Sequence, residues 1–251
     1  MKIHLKLVLA ICTAVVSFFS FNVAYAIPVD LELALLVDVS GSVDPNEYDL
    51  QKSGYVNAFQ DPTIQAEIAS LPHGIAVTYI EWSSDNEQSI QVQWTHITDA
   101  TSADNFATAI DSSIRSFGGL TAPGSAINFT SPLFFTNGFE GNRLVIDVSG
   151  DGSENNGDVT AMARDNALAA GIDAINGLPI LGSETGLDTW YKNNIVGGAG
   201  SFLQVANNFD DFGNAIKSKI SREIDPVPEP ASLALLCIGL AGLGAVRKRV
   251  N

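Results

Sequence analysis

Three oxygen-bearing side chains alternate within one short segment near the start of the chain. Residues 38–42 read Asp-Val-Ser-Gly-Ser, so Asp38, Ser40 and Ser42 stand two positions apart, and Gly41 permits a sharp turn. A carboxylate with two hydroxyls is a hard-oxygen donor set, which suits Mg²⁺ and similar dications better than Zn²⁺. One carboxylate carries too little charge to hold a dication well, so further ligands are expected from elsewhere in the chain.

Two later segments could supply those ligands. Thr121 lies at the centre of the glycine-rich turn 118–124, and Asp151 stands before a glycine, after the apolar stretch 143–148. If each segment follows a strand or a crossover of a parallel sheet, all of them reach the carboxyl edge of that sheet, where ligands bind. The sequence therefore predicts one cation site made of Asp38, Ser40, Ser42, Thr121 and Asp151.

Other interpretations of these residues remain open. Asp147 precedes Asp151 by four positions and could be the metal residue instead, although it also fits the end of the strand. Residues 151–158 faintly resemble a calcium loop, but their glycine is misplaced for the EF-hand pattern. Serines that follow a strand are often only turn formers. No Ser–His–Asp arrangement can be assembled with any support.

The elements that must position these residues alternate between strand and helix patterns. Apolar or alternating runs predict strands over 31–37, 75–82 and 143–148, with 89–95 as an antiparallel edge strand and short candidates at 172–175 and 202–205. Helical spacing and start signals predict helices over 44–59, 103–117, 124–135, 159–170 (capped by Asp158) and 209–224. This alternation indicates an α/β fold, doubly wound, with a mostly parallel central sheet, one antiparallel edge strand and helices on both faces.

The composition limits the partners of this domain. Hydrophobic residues make up 46%, enough for a proper core, whereas 28 acidic residues face 13 basic ones and give a net charge of −15. Several of the basic residues lie in the terminal segments, so the central part is more acidic still. Such a surface repels nucleic acid. The two cysteines, Cys12 and Cys237, both lie in terminal apolar runs, which excludes a disulfide scaffold and a thiolate metal site between them.

Residues 1–26 have the pattern of a secretory signal peptide. Lys2 and Lys6 form its charged start, 7–21 form its apolar stretch, and 24–26 (Ala-Tyr-Ala) fit a cleavage site. We therefore expect an exported protein, with a retained N-terminal anchor as the alternative.

Residues 227–251 have three ordered parts that are typical of a sorting signal. The Pro228, Glu229, Pro230 motif comes first, an apolar stretch over 231–246 follows, and the basic end Arg247, Lys248, Arg249 closes the chain. The stretch is slightly shorter than the ~20 residues that span a bilayer comfortably, and the basic end belongs on the cytoplasmic side. This tail resembles the PEP-CTERM sorting signal of Gram-negative bacteria. The resemblance implies a short transmembrane helix as transient anchor, processing by an exosortase, and release to the cell surface or an exopolysaccharide matrix; a plain C-terminal anchor is the alternative.

Residues 27–226, between the two signals, resemble the von Willebrand factor type A (vWA) domain with its metal-ion-dependent adhesion site. The family motif is Asp-x-Ser-x-Ser, then Thr in a glycine-rich loop, then Asp before Gly after a later strand, and all five positions match in order. The resemblance implies a Rossmann-like fold and a bound divalent cation, Mg²⁺ first, with Ca²⁺ or Mn²⁺ as alternatives. It also implies that one of Asp38 and Asp151 meets the ion directly while the other holds a coordinating water. Members often carry a second Thr where this chain has Pro123, which could stiffen the loop and alter switching.

The function predicted from these features is adhesion and not catalysis. We expect the cation to hold an extracellular protein or exopolysaccharide partner that presents a carboxylate. One alternative is a structural or assembly protein of the matrix whose metal site is merely stabilising. Another is a metal-dependent hydrolase in which the ion activates water, but the sequence offers no motif for a general base or a substrate cleft.

Overall fold

A central sheet organises the computed structural model, which describes residues 26–182 and 184–224. The strands of the domain are β1 (Ile27–Val29), β2 (Leu31–Asp38), β3 (Ile75–Trp82), β4 (Gln88–Ile97), β5 (Phe139–Gly141), β6 (Leu144–Gly150), β7 (Ala174–Pro179) and β8 (Gly197–Gly198), of which β1 and β5 form a separate two-stranded sheet. The α-helices are α1 (Pro45–Phe59), α2 (Pro62–Ser70), α3 (Ala100–Asp111), α4 (Pro123–Thr130), α5 (Thr160–Ala170), α6 (Leu187–Asn194) and α7 (Phe209–Ile224). One 3₁₀ helix, Ser131–Phe135, continues α4.

The strand order of the main sheet is β4-β3-β2-β6-β7-β8. The four inner strands β3, β2, β6 and β7 run parallel, whereas β4 and the two-residue β8 pair antiparallel at the two edges. From β2 the chain first builds the sheet toward β3 and β4, and later returns to build it in the opposite direction through β6. The strand order therefore diverges between β2 and β6, which is the point where doubly wound sheets bind ligands.

The two faces of the sheet are covered by different helices because the side chains of a strand alternate between faces. In β2, Leu33 and Leu35 face one core, while Ala34 and Leu36 face the other. Helices α1, α2, α3 and α7 pack on the first face, and α4, α5 and α6 on the second. β2 is thus buried on both sides, which explains why residues 33–37 are all apolar.

Most of the predicted elements agree with this fold. The predicted doubly wound α/β architecture is confirmed, including the antiparallel pairing of β4 with β3. Helix α1 begins at Pro45 behind an Asp44–Glu47 capping box, as its start signal indicates. Elements α2, α6 and β1 with its parallel partner β5 were not predicted, since each is short and lacks a distinctive period.

Four local predictions were wrong. Helix α3 ends at Asp111 instead of 117, and the following segment up to the glycine-rich turn has no regular secondary structure. Residues 202–205 form no strand; Leu203 makes only an isolated bridge to Gly177. Helix α5 is not capped by Asp158; the Glu154 carboxylate accepts hydrogen bonds from the backbone amide and hydroxyl of Thr160 instead. The predicted helix 124–135 is divided into α4 and the 3₁₀ turn, where Pro132 removes a backbone donor.

Residues 1–25 of the predicted signal peptide and the whole predicted sorting tail, 227–251, lie outside the described residues. Between residues 26 and 224, with residue 183 left aside, no helix has the length and apolar character needed to cross a membrane.

Close packing of α1 against α7 depends on Gly54, and this generates a stability prediction. A methyl group at Gly54 would lie 2.7 Å from Cδ1 of Phe212, a ring with no solvent exposure. We expect Gly54→Ala to lower the free energy of unfolding by about 1–3 kcal/mol because the buried ring cannot move aside. Gly213→Ala is the matched control, since its methyl group would meet only the Gly54 Cα at 4.0 Å. The control should leave stability unchanged or raise it by up to about 1 kcal/mol. Chemical denaturation of both variants measures the difference, and equal stabilities would contradict the packing argument.

Candidate metal centre

The candidate site lies at the carboxyl ends of the two strands between which the strand order diverges. Asp38 is the last residue of β2, and Asp151 directly follows β6. The two strands are hydrogen-bonded neighbours, with Val37 paired to Ser149. Parallel pairing in this register therefore brings both carboxylates to one edge of the sheet.

A continuous set of short contacts joins the five predicted residues. The Ser40 amide donates to Asp38 Oδ1 at 2.8 Å, and the Ser40 and Ser42 hydroxyl oxygens lie 3.1 Å apart. The Ser42 hydroxyl donates to Asp151 Oδ1 at 2.7 Å, and the Thr121 hydroxyl lies 3.5 Å from the Ser40 oxygen. Sequence reasoning thus selected side chains that are neighbours in space. Their role as ligands stays a prediction.

One oxygen of Asp38 is buried without a partner. In the described part of the chain, Asp38 Oδ2 accepts no hydrogen bond, although the side chain is fully buried. An unpartnered carboxylate oxygen in the interior is costly, since a charged group there needs a donor, a proton or a cation. The donor chemistry around it, hydroxyls and a second carboxylate, is the set that Mg²⁺ prefers. The residues present therefore fit a hard dication.

Burial, and next the negative charge of Asp151, raise the pKa of Asp38 to about 7, although hydrogen bonds from Ser40 and the Asp151 backbone partly offset both effects. Near neutral pH, the Asp38 side chain of the metal-free protein is therefore partly protonated and partly ionised. A cation that binds here must displace this proton.

Gly150, the last residue of β6, makes room for the Asp38 carboxylate. A methyl group there would lie 2.6 Å from Asp38 Oδ2 and 2.8 Å from the Tyr191 hydroxyl oxygen. Sequence reasoning missed this residue, although a glycine directly before the predicted ligand Asp151 was the available signal. A strand-end position that tolerates no side chain indicates that space beside Asp38 is required.

The turn between β3 and β4 holds the loop that carries Thr121. Ser83 Oγ accepts from the Gly119 amide at 2.7 Å, and Ser84 Oγ accepts from the Leu120 amide at 2.8 Å. Gly119 must be a glycine because a methyl group would lie 2.2 Å from Ser84 Oγ. On its other side, the Gly119 carbonyl accepts from the Gly41 amide at 2.7 Å, so the loop is tied to the 38–42 turn.

Asn155 holds Thr121 from the opposite side. Its side-chain oxygen accepts from the Thr121 amide at 2.9 Å, and its backbone amide donates to the Thr121 carbonyl at 3.0 Å. No sequence pattern pointed to Asn155, because the contact links loops that are far apart in the chain. It positions the threonine hydroxyl beside Ser40.

Arg115 fixes the 38–42 turn from the helix α3 side. Its Nη2 donates to the carbonyls of Val39 and Ser40, each at 2.8 Å. The prediction that 103–117 is helical would have placed this side chain on a helix. The irregular segment instead lays the guanidinium along the turn, where it orients backbone groups and leaves the side-chain oxygens available.

The alternative ligands of the sequence analysis are not part of this cluster. Asp147 lies inside β6 and faces Lys219 at 2.5 Å. In the loop 151–158, Glu154 binds the start of α5 and Asn156 accepts from the Asp85 amide. Throughout residues 26–182 and 184–224, no group of three or more His, Cys, Asp or Glu is arranged to hold a metal ion. The candidate centre therefore depends on hydroxyl donors beside its two acids.

Two surface depressions meet at the candidate centre. One, of about 300 Å³, lies toward Leu181 and Phe209, and the other, of about 330 Å³, lies toward Asn155. Ser42 and Asp151 line both. The depressions therefore open to solvent at Ser42, which is exposed, while Asp151 lies buried behind it.

A family model described as "Protein of unknown function (DUF1194)" matches residues 28–228. The chain belongs to this family. A second model, the PEP-CTERM protein-sorting motif, matches residues 226–249. This confirms the predicted sorting signal, which indicates export to a surface or extracellular location and implies processing by an exosortase. No curated protein matches the sequence.

Several solved structures share the fold of this DUF1194 domain. Proximal thread matrix protein 1 from the mussel byssus has a TM-score of 0.56 and 16% identity, over 80% of this chain and 47% of that one, and one of its structures is described as having a zinc occupied MIDAS motif. The pilus adhesin SpaC from Lactobacillus rhamnosus GG has a TM-score of 0.58 and 14% identity, over 78% and 31%. The von Willebrand factor type A protein from Catenulispora acidiphila has a TM-score of 0.54 and 12% identity, over 78% of this chain and 43% of that one. The chain spans less than half the length of each. The predicted vWA fold is confirmed.

Removing space beside Asp38 should weaken cation binding. We expect Gly150→Ala to lower Mg²⁺ affinity by about tenfold or more, because the methyl group displaces the Asp38 carboxylate. Gly152→Ala is the matched control, since its methyl group would meet Thr121 at 3.7 Å, an ordinary contact. Calorimetric Mg²⁺ titration of both variants measures the effect. Equal affinities would show that the Asp38 position does not matter for the ion.

Cation binding should also depend on pH. The raised pKa of Asp38, about 7, means that protons compete with the ion below that value. We expect Mg²⁺ affinity to fall by up to about tenfold per pH unit below about pH 7 and to level off above it. The raised pKa also means that the metal-free fold loses stability as the pH rises from the ordinary aspartate range through about 7. Titrations and thermal melts across this range measure both effects, and a flat affinity profile would contradict the assignment of Asp38.

Proposed function

We propose that the chain is an exported surface or matrix protein whose vWA domain binds one divalent cation, preferably Mg²⁺. Through this cation the domain binds a partner that presents a carboxylate. The observation that carries this proposal is the buried, unpartnered oxygen of Asp38 beside Asp151 and three hydroxyls. The proposed role is attachment and not catalysis.

The proposed ligands divide into a buried and an accessible group. Asp38, Ser40, Thr121 and Asp151 are buried, and Ser42 is exposed. The buried group would hold the cation against the end of β2, while the exposed side would leave room for a group from outside. A bound dication supplies the positive charge that lets a strongly acidic domain accept an acidic partner.

The position of the site suits a protein attached through its C-terminal tail. Arg143, just before β6, donates to the Glu223 carbonyl near the end of α7, so α7 ends at the amino edge of the sheet. Asp151 lies at the carboxyl edge, at the other end of β6, which is about 20 Å long. Ile224 therefore lies at the end of the domain opposite the candidate site, which supports a site directed away from the anchor.

The architecture is compatible with adhesion. A byssus matrix protein and a pilus adhesin share it, although their low identity carries only the fold. We place the partner in the extracellular matrix because the sorting signal directs the chain there. An extracellular protein and an acidic exopolysaccharide both present the required carboxylate.

Partner binding should require both the cation and Asp38. In a pull-down from the matrix of the producing cells, we expect the wild-type chain to capture material in Mg²⁺ and to release it with chelator. Asp38→Asn should lower Mg²⁺ affinity by about 100-fold or more and abolish the capture, because it removes charge while keeping an acceptor for the Ser40 amide. Asp49→Asn, an equal change of charge on the exposed face of α1, is the control and should behave as wild type.

Two outcomes would contradict parts of this proposal. Capture that persists with chelator or in Asp38→Asn would exclude a cation-mediated contact. Mg²⁺ that raises the melting temperature of the wild type without any metal-dependent capture would indicate a merely stabilising site, and the adhesive role would be wrong.

A further inference from the structure

A fully buried lysine lies between two fully buried carboxylates, away from the candidate metal centre. Lys219 Nζ of α7 lies 2.5 Å from Asp147 Oδ1 of β6 and 2.7 Å from Glu223 Oε1, one helical turn further along α7. All three side chains are excluded from solvent. The cluster is therefore an isolated set of reactive groups in van der Waals or closer contact.

The charges of this cluster do not balance if all three groups are ionised. One ammonium cannot neutralise two carboxylates, and an uncompensated charge in the interior is costly. Burial, followed by the charge of Glu223, raises the pKa of Asp147, while Lys219 lowers it, and the result is a pKa of about 7. Near and below pH 7, Asp147 therefore holds a proton. Transfer of a proton from the Lys219 ammonium to the Glu223 carboxylate then leaves an uncharged amine beside the uncharged Asp147 carboxyl.

The groups around Lys219, Asp147 and Glu223 hold the amine and the carboxyl groups against one another. In the described residues, the Asp147 oxygens have no hydrogen-bond donor apart from the Lys219 ammonium, and Oε2 of Glu223 accepts no hydrogen bond. Asn176 Nδ2 donates to Glu223 Oε1 at 2.9 Å, which orients that carboxyl group toward the lysine. The Phe202 ring lies 5.5 Å from Lys219 Nζ and contributes to the apolar surroundings. Amine and carboxyl are held in place with no competing donor on the Asp147 oxygens.

We propose that Lys219 and Asp147 condense into an isopeptide bond that joins α7 covalently to β6, with Glu223 as the group that moves the protons. This modification is independent of the proposed cation-mediated attachment.

The reaction balances without any further reagent. The lone pair of uncharged Lys219 Nζ attacks Cγ of protonated Asp147, and a C–N bond forms. Glu223, protonated by the earlier transfer, gives its proton to the departing hydroxyl and accepts one from the nitrogen, so that the C–O bond breaks and one water molecule leaves. No atom changes its oxidation state. Contact in a fixed geometry supplies the effective concentration that makes such a condensation feasible.

The product removes the electrostatic problem of the reactants. An amide and a protonated Glu223 are both uncharged, so the interior no longer holds an unbalanced charge. The bond would also supply a covalent cross-link to a domain that has no cysteine, since Cys12 and Cys237 both lie outside residues 26–224. A disulfide is the usual cross-link of exported domains, and this chain cannot form one there.

The test is mass spectrometry of the purified full chain under denaturing conditions. Trypsin should produce peptides 144–164 and 218–222 as one species, lighter than their sum by one water, about 18 Da. Cleavage after Lys219 should be blocked. Joined peptides distinguish this bond from loss of water within one peptide, such as cyclisation at Asp151-Gly152.

Three variants identify the atoms involved. Asp147→Asn should lose ammonia in place of water and yield the same cross-linked product as wild type. Glu223→Gln should leave most of the chain uncrosslinked because proton transfer is impaired. Lys217→Arg is the control on the same helix, since Lys217 pairs at the surface with Asp61, and it should keep the bond.

The wild-type chain alone decides the outcome, so a variant that fails to fold does not obscure it. Separate peptides 144–164 and 218 onward at the masses of their sequences, with normal cleavage after Lys219, would overturn the proposal. Joined peptides in Asp147→Ala would overturn the assignment of Asp147. Both readings are taken with chelator present, so they do not depend on the metal site.

Discussion

Two carboxylates at neighbouring strand ends, one of them withdrawn from water, create the constraint around which the candidate site is built. The sheet register places Asp38 and Asp151 side by side, and the closing loops bury Asp38 completely. Burial and a neighbouring negative charge both oppose ionisation. A bound hard cation would stabilise the ionised carboxylate against both effects. Without a cation, a proton neutralises the carboxylate instead. The electrostatics of this edge therefore favour cation binding before any comparison with other proteins is made.

The loops around this edge use glycine and serine for different reasons. Glycines at 41, 119 and 150 stand where backbones or carboxylates approach too closely for a side chain. Ser83, Ser84 and Asn155 provide hydrogen bonds that hold the threonine loop in place. A site whose oxygens are fixed beforehand loses little conformational entropy when it binds an ion. Rigid support from three loops thus compensates for a donor set with only two acids.

The same sheet carries a second group of buried charges on one of its faces. Asp147 and Ser149 alternate with Val148 along β6, so they point toward α1 and α7 while Val148 points to the other core. Polar groups at this depth need specific partners, and Lys219 and Tyr55 provide them. One strand therefore contributes to an interior charge cluster in its middle and to the candidate ion site at its end. Any shift of β6 against α7 would affect both.

Local sequence patterns were sufficient for the layered fold and for the side chains gathered at the edge. Apolar runs of strand length alternate with helical spacing, and this pattern depends only on which residues are near in the chain. The Asp-x-Ser-x-Ser turn, Thr121 and Asp151 were found because each has a recognisable type and place relative to a strand. The end of α3 and the 202–205 segment were mispredicted because their residues contact parts of the chain far away in sequence. The cap of α5 was mispredicted because Glu154, six residues before Thr160, takes the place of Asp158.

The tertiary structure alone decided which residues that are far apart in the chain come into contact. Asn155 holds Thr121 and Arg115 holds the Ser40 turn through hydrogen bonds that no periodicity records. Lys219 is a charged residue within the predicted helix 209–224, and the structure buries it fully against Asp147. Sequence by itself determined the chemistry available and the strand ends that present it. Burial and distance, which set the pKa of Asp38 and place Lys219 against its two carboxylates, exist only once the sheet has assembled.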